Sequence, residues 1–343
     1  MKRVALLTGG GDSPGLNQVI RAVVMRLIPK GYECMGFLEG WRGVLENMTV
    51  PLTISSTDDL IREGGTVLGS SRTNPFKKPE KDVPKILKAF KDNQLHCLVA
   101  LGGDDTLGVG TKLWKEHKLP IIGVPKTIDN DLSATDFTFG FNTAVENCIR
   151  DIDRLVSTTK SHRRVMVIEV MGRHAGWIAA YAGMASGAEY TLVPEIEPDI
   201  EEMCKAIKRA RARGKNWNLV VVSEGAKLSE ELALQSAEKD SFGHVRLGGI
   251  GKSIAKLIED KTGFETRDVV LGHLQRGGNP TAWDRILSTR YGYKAAELVE
   301  KQDWGKMVAL RGNDIVAVGI EEGTGATKTL DMAFYEIMKS YFA

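Results

Sequence analysis

The run Thr127-Ile128-Asp129-Asn130-Asp131 packs two carboxylates, an amide and a hydroxyl directly behind Lys126. Transfer of a phosphoryl group to an alcohol needs a carboxylate to accept the hydroxyl proton and a cation to neutralise charge on the phosphates. One aspartate can be the base while the other helps to hold a metal. A local Asx-turn would also account for Asp129-Asn130-Asp131, though not for Lys126 or Thr127. A second acidic motif, Gly102-Gly103-Asp104-Asp105-Thr106, sets adjacent carboxylates behind two glycines. Helix capping explains one of these acids well and two less well. A Mg²⁺ ion shared between a carboxylate and phosphate oxygens explains the glycines and the acid together, and both readings stand on local grounds.

The loop Thr8-Gly9-Gly10-Gly11-Asp12-Ser13-Pro14-Gly15 fails as a dinucleotide fingerprint, because Pro14 falls where the third glycine belongs. It fails as a Walker A loop too, since Leu16 follows Gly15 instead of lysine. What remains is close backbone approach at three glycines and a helix start whose amides suit a phosphate, or else a plain tight turn. Gly251-Lys252-Ser253 is an ordinary helix start, because Arg246 stands where a P-loop needs glycine. Further along lie Met171-Gly172-Arg173 and the cations Arg163, Arg164, Arg267, His273 and Arg276. Arginine forks capture phosphate monoesters in bidentate fashion, although each one singly could be a solvated charge. His162, His174 and His273 lack zinc-site spacing.

These motifs fall where β-branched runs stop and stretches of 3.6 periodicity begin, the alternation of a parallel α/β protein. Strands are expected at Arg3 to Thr8, Cys97 to Leu101, Ile121 to Val124, Val165 to Val170, Leu219 to Val222, Asp268 to Leu271 and Ile315 to Val318. Leu16, Val19, Ile20, Val23, Val24 and Leu27 share one helical face. Val145, Cys148, Ile149, Ile152 and Leu155 share another, and a further helix is expected from Thr106 to His117. In such sheets ligands bind beyond the carboxyl ends of the strands, where these polar motifs stand. Lys227 to Gly249 is polar and charged and reads as an exposed excursion.

A length of 343 residues suits two domains. The formal charge of +2 predicts no binding to nucleic acid or lipid surfaces, and no stretch is long and apolar enough to span a membrane. Cys34, Cys97, Cys148 and Cys204 form no CxxC pair and sit mostly in apolar runs, the usage of a reducing compartment, so a cytoplasmic location is expected.

Taken together and in order, GGGDSPGLN at Gly9 to Asn17, GGTVLGSSR at Gly64 to Arg72, GGDDT, PKTIDND, SHRR at Ser161 to Arg164, MGRHAGW at Met171 to Trp177, SEG at Ser223 to Gly225 and GHLQRGG at Gly272 to Gly278 resemble the bacterial-type 6-phosphofructokinase family. The resemblance implies two Rossmann-like parallel-sheet domains. Residues 1–140 plus 275–325 would carry the phosphoryl donor and Mg²⁺, and residues 141–274 plus 326–343 the fructose 6-phosphate, with the sugar phosphate held between them. It implies Asp129 as catalytic base, with Thr127 and Arg173 assisting. Gly11, Arg72, Asp105, Thr106 and Lys126 would bind the donor, and Asp104 and Asp131 the metal. Met171, Gly172, Arg173, Glu224, His273 and Arg276 would hold fructose 6-phosphate within one subunit. Arg164 and Arg267 match arginines given across a subunit interface, so a homodimer or homotetramer with composite sites is implied.

Members that use ATP resemble GGDGS and PGTIDND, whereas members that use pyrophosphate carry the aspartate and lysine seen here as Asp105 and Lys126. A carboxylate facing the third phosphate position repels it, by roughly 1 to 4 kcal/mol at about 4 Å. The expected donor is therefore pyrophosphate, with ATP as the alternative. Arg21 is kept, but Met25 and Val156 replace arginines of the allosteric members' effector site, so allosteric control is not expected. An ATP-dependent sugar or lipid kinase and a catalytically inactive metabolite sensor on the same fold are the competing readings. Arg164, Arg173, Arg267 and Arg276 argue against the first, and Asp129 against the second.

Overall fold

The computed structural model describes residues 2–227 and 249–342; the expected excursion between Lys227 and Gly249 lies outside the described residues except at its two ends. The chain divides into two compact units, Met1–Thr143 with Arg276–Thr327 and Ala144–Gln275 with Lys328–Ala343.

The first unit opens with β1 (Lys2–Thr8), α1 (Leu16–Leu27), β2 (Tyr32–Phe37), α2 (Trp41–Glu46), β3 (Thr49–Leu52) and α3 (Ile54–Thr57). It continues with α4 (Pro79–Asp92), β4 (Leu95–Gly102), α5 (Asp104–His117) and β5 (Ile121–Pro125). In the second unit come most of α6 (Phe141–Ser161), then β6 (Val165–Val170), α7 (Trp177–Ala185), β7 (Tyr190–Leu192) and α8 (Ile200–Ala212). β8 (Asn218–Ser223), α9 (Ile250–Thr262) and β9 (Thr266–Val270) follow. The chain then returns to the first unit as α10 (Ala282–Lys301), β10 (Lys306–Arg311) and β11 (Asp314–Gly319), and ends in the second as α11 (Met332–Lys339).

Seven strands of the first unit form a sheet in the order β11-β10-β5-β4-β1-β2-β3. Its middle is parallel, but β3 and β11 close the two edges antiparallel to β2 and β10. The expected all-parallel sheet is thus a mixed one at its rims, because the short connections Leu38 to Met48 and Gly312–Asn313 only let the chain turn back on itself. Ile315 to Val318 is not a buried parallel strand but a half-buried edge. The second unit is the purer case, four strands all parallel in the order β7-β8-β6-β9.

Burial follows from strand geometry. Successive side chains of a strand face opposite sides of the sheet. Val4 and Leu6 of β1 accordingly join one core with α1 and α10, while Ala5 and Leu7 join another with α4 and α5. Both faces are covered, which is why β1 reads as an unbroken apolar run. The expected stripe of α1 is fully buried from Leu16 to Leu27.

Adjacent order then sets the functional loops beside one another. β5, β4 and β1 are neighbours, and their ends are level, Thr8 opposite Leu101 and Gly102 opposite Pro125. The glycine loop, the Asp104-Asp105 motif and the Lys126–Asp131 motif therefore leave the sheet side by side. In the second unit β8, β6 and β9 do the same for Ser223-Glu224-Gly225, Met171-Gly172-Arg173 and Gly272-His273.

Candidate active site

In the first unit the glycine loop is shaped by what presses on it. A Cβ on Gly9 would lie 2.4 Å from the Thr106 Oγ1, and one on Gly11 would lie 1.8 Å from Arg276 Nη1. Glycine lets Thr106 and the Arg276 guanidinium approach the loop backbone this closely. Ser70 Oγ donates to the Gly10 carbonyl and Gly10 N donates to the Ser71 carbonyl at 3.1 Å, so the segment that ends in exposed Arg72 is stitched on as well. Gly10, Gly11 and Asp12 reach the surface, whereas Ser13 through Leu16 are buried. The accessible surface is thus the loop itself and not the start of α1.

Lys126 is the least expected group. It is buried, and its Nζ donates to the Gly11 carbonyl at 2.7 Å. Burial pulls its pKa down to about 8 and Arg276 adds to the drop, while Asp129, Asp131 and Asp12 oppose it. Asp131 moves the other way, up to about 7, because burial and the neighbouring Asp129 both disfavour its charge.

The turn that presents these acids is held by other residues. Thr127 Oγ1 accepts from Asp129 N at 3.0 Å, and the hydroxyl also donates to Asp131. Asn130, at φ +53°, accepts from Thr138 N at 3.0 Å through its side-chain oxygen. The amide thus reaches eight residues forward and Thr127 spans the turn, so the motif is tied to Thr138 as well as to itself. In the second motif the N-cap of α5 is Gly103, so neither acid is the capping residue itself. Asp104 and Asp105 stand in the first turn, and Asp104 Oδ1 accepts from Gly325 N at 2.9 Å.

Among the described residues no cluster of three or more His, Cys, Asp or Glu side chains forms a protein-only metal cage. The mutual repulsion that raises Asp131 is nonetheless what a cation between carboxylates relieves, and hard divalent ions take one or two carboxylates plus phosphate oxygens. The residues present fit such an ion.

The second unit gathers Met171, Gly172, Arg173 and Glu224 around Ser223. Ser223 Oγ donates to the Gly172 carbonyl at 2.6 Å, and Glu224 N donates to the Val170 carbonyl at 2.8 Å. Gly172 has φ +128°, and a Cβ there would meet the Ala175 carbonyl at 2.8 Å. Met171 N donates to Gln275 Oε1 at 3.1 Å; buried Gln275 was legible only as part of GHLQRGG, without a role. His273 is exposed on the short 3-10 turn Gly272–Arg276.

Arg164 and Arg267 stand apart from that group. Val165 pairs with Thr266, so both arginines lie at the amino ends of β6 and β9. Arg173, Glu224 and His273 follow the carboxyl ends of the strands, five or six residues on, which is roughly 15–20 Å at strand rise. Arg276, expected among the sugar ligands, belongs to the first unit and donates to the Asp12 carbonyl at 3.3 Å. Its place is beside the glycine loop.

Two α/β units, each ending its central parallel strands in clustered polar loops, with a buried lysine between a glycine loop and paired aspartates, define a phosphoryl-transfer class of protein. The chain belongs to the phosphofructokinase family, whose pattern matches residues 3–299. It is 52% identical over 346 residues to the pyrophosphate--fructose 6-phosphate 1-phosphotransferase of Streptomyces coelicolor, covering 99% of each chain. It is 45% identical over 343 residues to the ATP-dependent 6-phosphofructokinase of Mycobacterium tuberculosis, again covering 99% of each. Pichia pastoris phosphofructokinase superposes at a TM-score of 0.81 and 30% identity, over 99% of this chain, which spans 39% of that longer one. Phosphotransferases of this family generally need a divalent metal ion. No helix among the described residues is long and apolar enough to cross a membrane.

Proposed function

We propose that the protein transfers a phosphoryl group from pyrophosphate to the 1-hydroxyl of fructose 6-phosphate. The observation that carries this reading is Lys126, buried at 2.7 Å from the Gly11 carbonyl and flanked by Asp129 and Asp131. A donor with only two phosphates lacks the contacts of a nucleoside, and a desolvated ammonium beside the glycine loop supplies charge where those phosphates must lie. Asp105, in the first turn of α5, sets a negative charge against a third phosphate. The near-full-length relative that uses pyrophosphate supports the same donor.

Asp129 accepts the proton of the 1-hydroxyl as its oxygen bonds to phosphorus and the bridging P–O bond breaks, releasing orthophosphate. Thr127 orients this step by bonding both Asp129 N and Asp131. Gly11, Arg72, Thr106 and Lys126 bind the donor, and Asp104 and Asp131 would hold Mg²⁺, which neutralises phosphate charge when bound. Met171, Gly172, Arg173, Glu224, His273 and Arg276 hold the sugar phosphate, Arg276 from beside the glycine loop. Arg164 and Arg267, at the opposite ends of their strands, serve the site of a second copy, so the working form is a homo-oligomer. Four free, buried cysteines fit a reducing compartment, and we assign the reaction to the cytoplasm.

The second reading, ATP as donor, is favoured by the Mycobacterium tuberculosis relative. Initial rates with pyrophosphate and with ATP, at matched magnesium and saturating fructose 6-phosphate, separate the two. A higher kcat/KM for ATP overturns the pyrophosphate assignment.

A further inference from the structure

Glu265 is claimed by none of the motifs above, yet it organises one of their pairs. Its Oε1 is 2.7 Å from Arg164 Nη2 and 2.7 Å from Arg267 Nη2. Arg267 also donates through Nη1 to the Thr266 carbonyl at 2.9 Å. The arrangement is built into the sheet, because Val165 N donates to the Glu265 carbonyl at 2.9 Å and so levels Arg164 with Glu265. Strand alternation then returns Arg267 to the same face two residues later. Two guanidinium groups would repel at this spacing without an anion between them. Arg164 is the first cause of the lowered pKa of Glu265, which therefore stays ionised.

We infer that Glu265 is a positioning residue, an internal counter-anion that holds Arg164 and Arg267 together until the phosphate monoester of the sugar displaces it. The inference rests on the reading that these arginines bind that phosphate. A carboxylate and a phosphate dianion compete for the same N–H donors, and two anions close to one another repel. The cost of preorganising the fork is thus a weaker hold on the ligand, and the carboxylate sets how tightly fructose 6-phosphate binds.

The test is isothermal titration of fructose 6-phosphate and, separately, of magnesium pyrophosphate into the full-length assembly. Glu265→Gln keeps an oxygen acceptor for both arginines and removes the charge. Its dissociation constant for fructose 6-phosphate should fall about three- to tenfold, the size expected for one solvent-exposed charge, while that for pyrophosphate stays within twofold. Glu265→Ala removes the acceptor too and should bind the sugar phosphate less tightly than Glu265→Gln. Arg267→Ala separates the two ways of being wrong. If it leaves fructose 6-phosphate affinity unchanged, the arginines do not bind the phosphate and the underlying reading falls. If Arg267→Ala weakens binding but Glu265→Gln fails to tighten it, only the counter-anion role falls. Equal tightening for pyrophosphate would also overturn it, as a general charge effect.

Discussion

The two units use the same device and spend it differently. Each ends three adjacent parallel strands at one level, but the first unit closes over Lys126 while the arginine pair of the second stays near solvent. Lys126 is buried and Asp131 is forced upward by burial and then by Asp129, whereas Arg267 is exposed and Glu265 is pulled downward by Arg164. Burial that disfavours a charge marks a place where that charge is used in chemistry. A solvated ion pair marks recognition, where a ligand can exchange for a neighbour at little cost. The contrast agrees with the proposed function, which has bond-making in the first unit and capture of the sugar phosphate in the second.

The largest expected effect tests that division at its chemical end. Asp129→Ser should lower kcat by about 10²- to 10⁴-fold while fructose 6-phosphate binding changes little. Near-normal turnover would remove Asp129 from the role of base. The same variant probes assembly when mixed with Arg267→Ala, since a hybrid can contain one intact composite site. Partial recovery of activity is expected, and none after verified subunit exchange would count against sharing.

Next in size is donor choice. Asp105→Gly removes the like charge and volume opposed to a third phosphate, and Lys126→Gly removes the cation at Gly11. Together they should move the ratio of kcat/KM for pyrophosphate over ATP toward ATP by about 10²-fold or more, if about 3 kcal/mol is at stake. A ratio that stays put shows that these two residues do not select the donor.

A smaller effect compares the signs of the two shifted acids. The folded pKa of Asp131 lies above its ordinary value, so its ionisation opposes folding, increasingly as pH rises from the ordinary carboxylate range to about 7. Asp131→Asn should therefore raise Tm at pH 8 by about 1–2 °C, the shift for about 1 kcal/mol in a chain of this size, and by less as pH falls toward 4. Glu265 is lowered, so its contribution is present above the ordinary carboxylate pKa and is lost as pH falls. Scanning calorimetry of both variants across that range checks the opposite signs, and a Tm for Asp131→Asn at or below wild type at pH 8 would erase the contrast.

How much of this was legible follows from what each feature depends on. The expected strands at the centres of both sheets, and the stripe of α1, were readable because near-continuous apolar runs and 3.6 periodicity are properties of one segment. β2, β3, β7 and β10 were not expected; Tyr32–Phe37 mixes Glu33 and Gly36 with apolar residues and takes its identity from pairing with β1. The motif residues are visible by type, but the burial of Lys126 is not, since it depends on Gly11 and Arg276 far along the chain. Arg276 is expected among the sugar ligands with its neighbours in sequence, and its place beside the glycine loop follows only from the return of the chain to the first unit. Glu265 left one usable signal, an acid two residues before an arginine in a strand.

The smallest expected effect is none at all, and it concerns residues of both units that neither constellation uses. Arg21 donates through Nε to the Asp58 carbonyl at 2.9 Å and through Nη2 to Asp58 Oδ1 at 3.2 Å, so the one arginine kept from the allosteric relatives' effector site already has a partner. Met25 on α1 and Val156 on α6 are half-buried and bring no charge. A charge-assisted hydrogen bond contributes about 1.5–3 kcal/mol, so losing two of them weakens a phosphate site by orders of magnitude. ADP and phosphoenolpyruvate should accordingly leave the half-saturation point for fructose 6-phosphate within twofold, with a hyperbolic curve, and Arg21→Ala should change neither. The measurement is a set of saturation curves with and without each compound at millimolar concentration, with pyrophosphate as donor. A sigmoidal curve, or a shift beyond about threefold that Arg21→Ala abolishes, would mean that a third phosphate site exists, built by residues other than the two lost arginines.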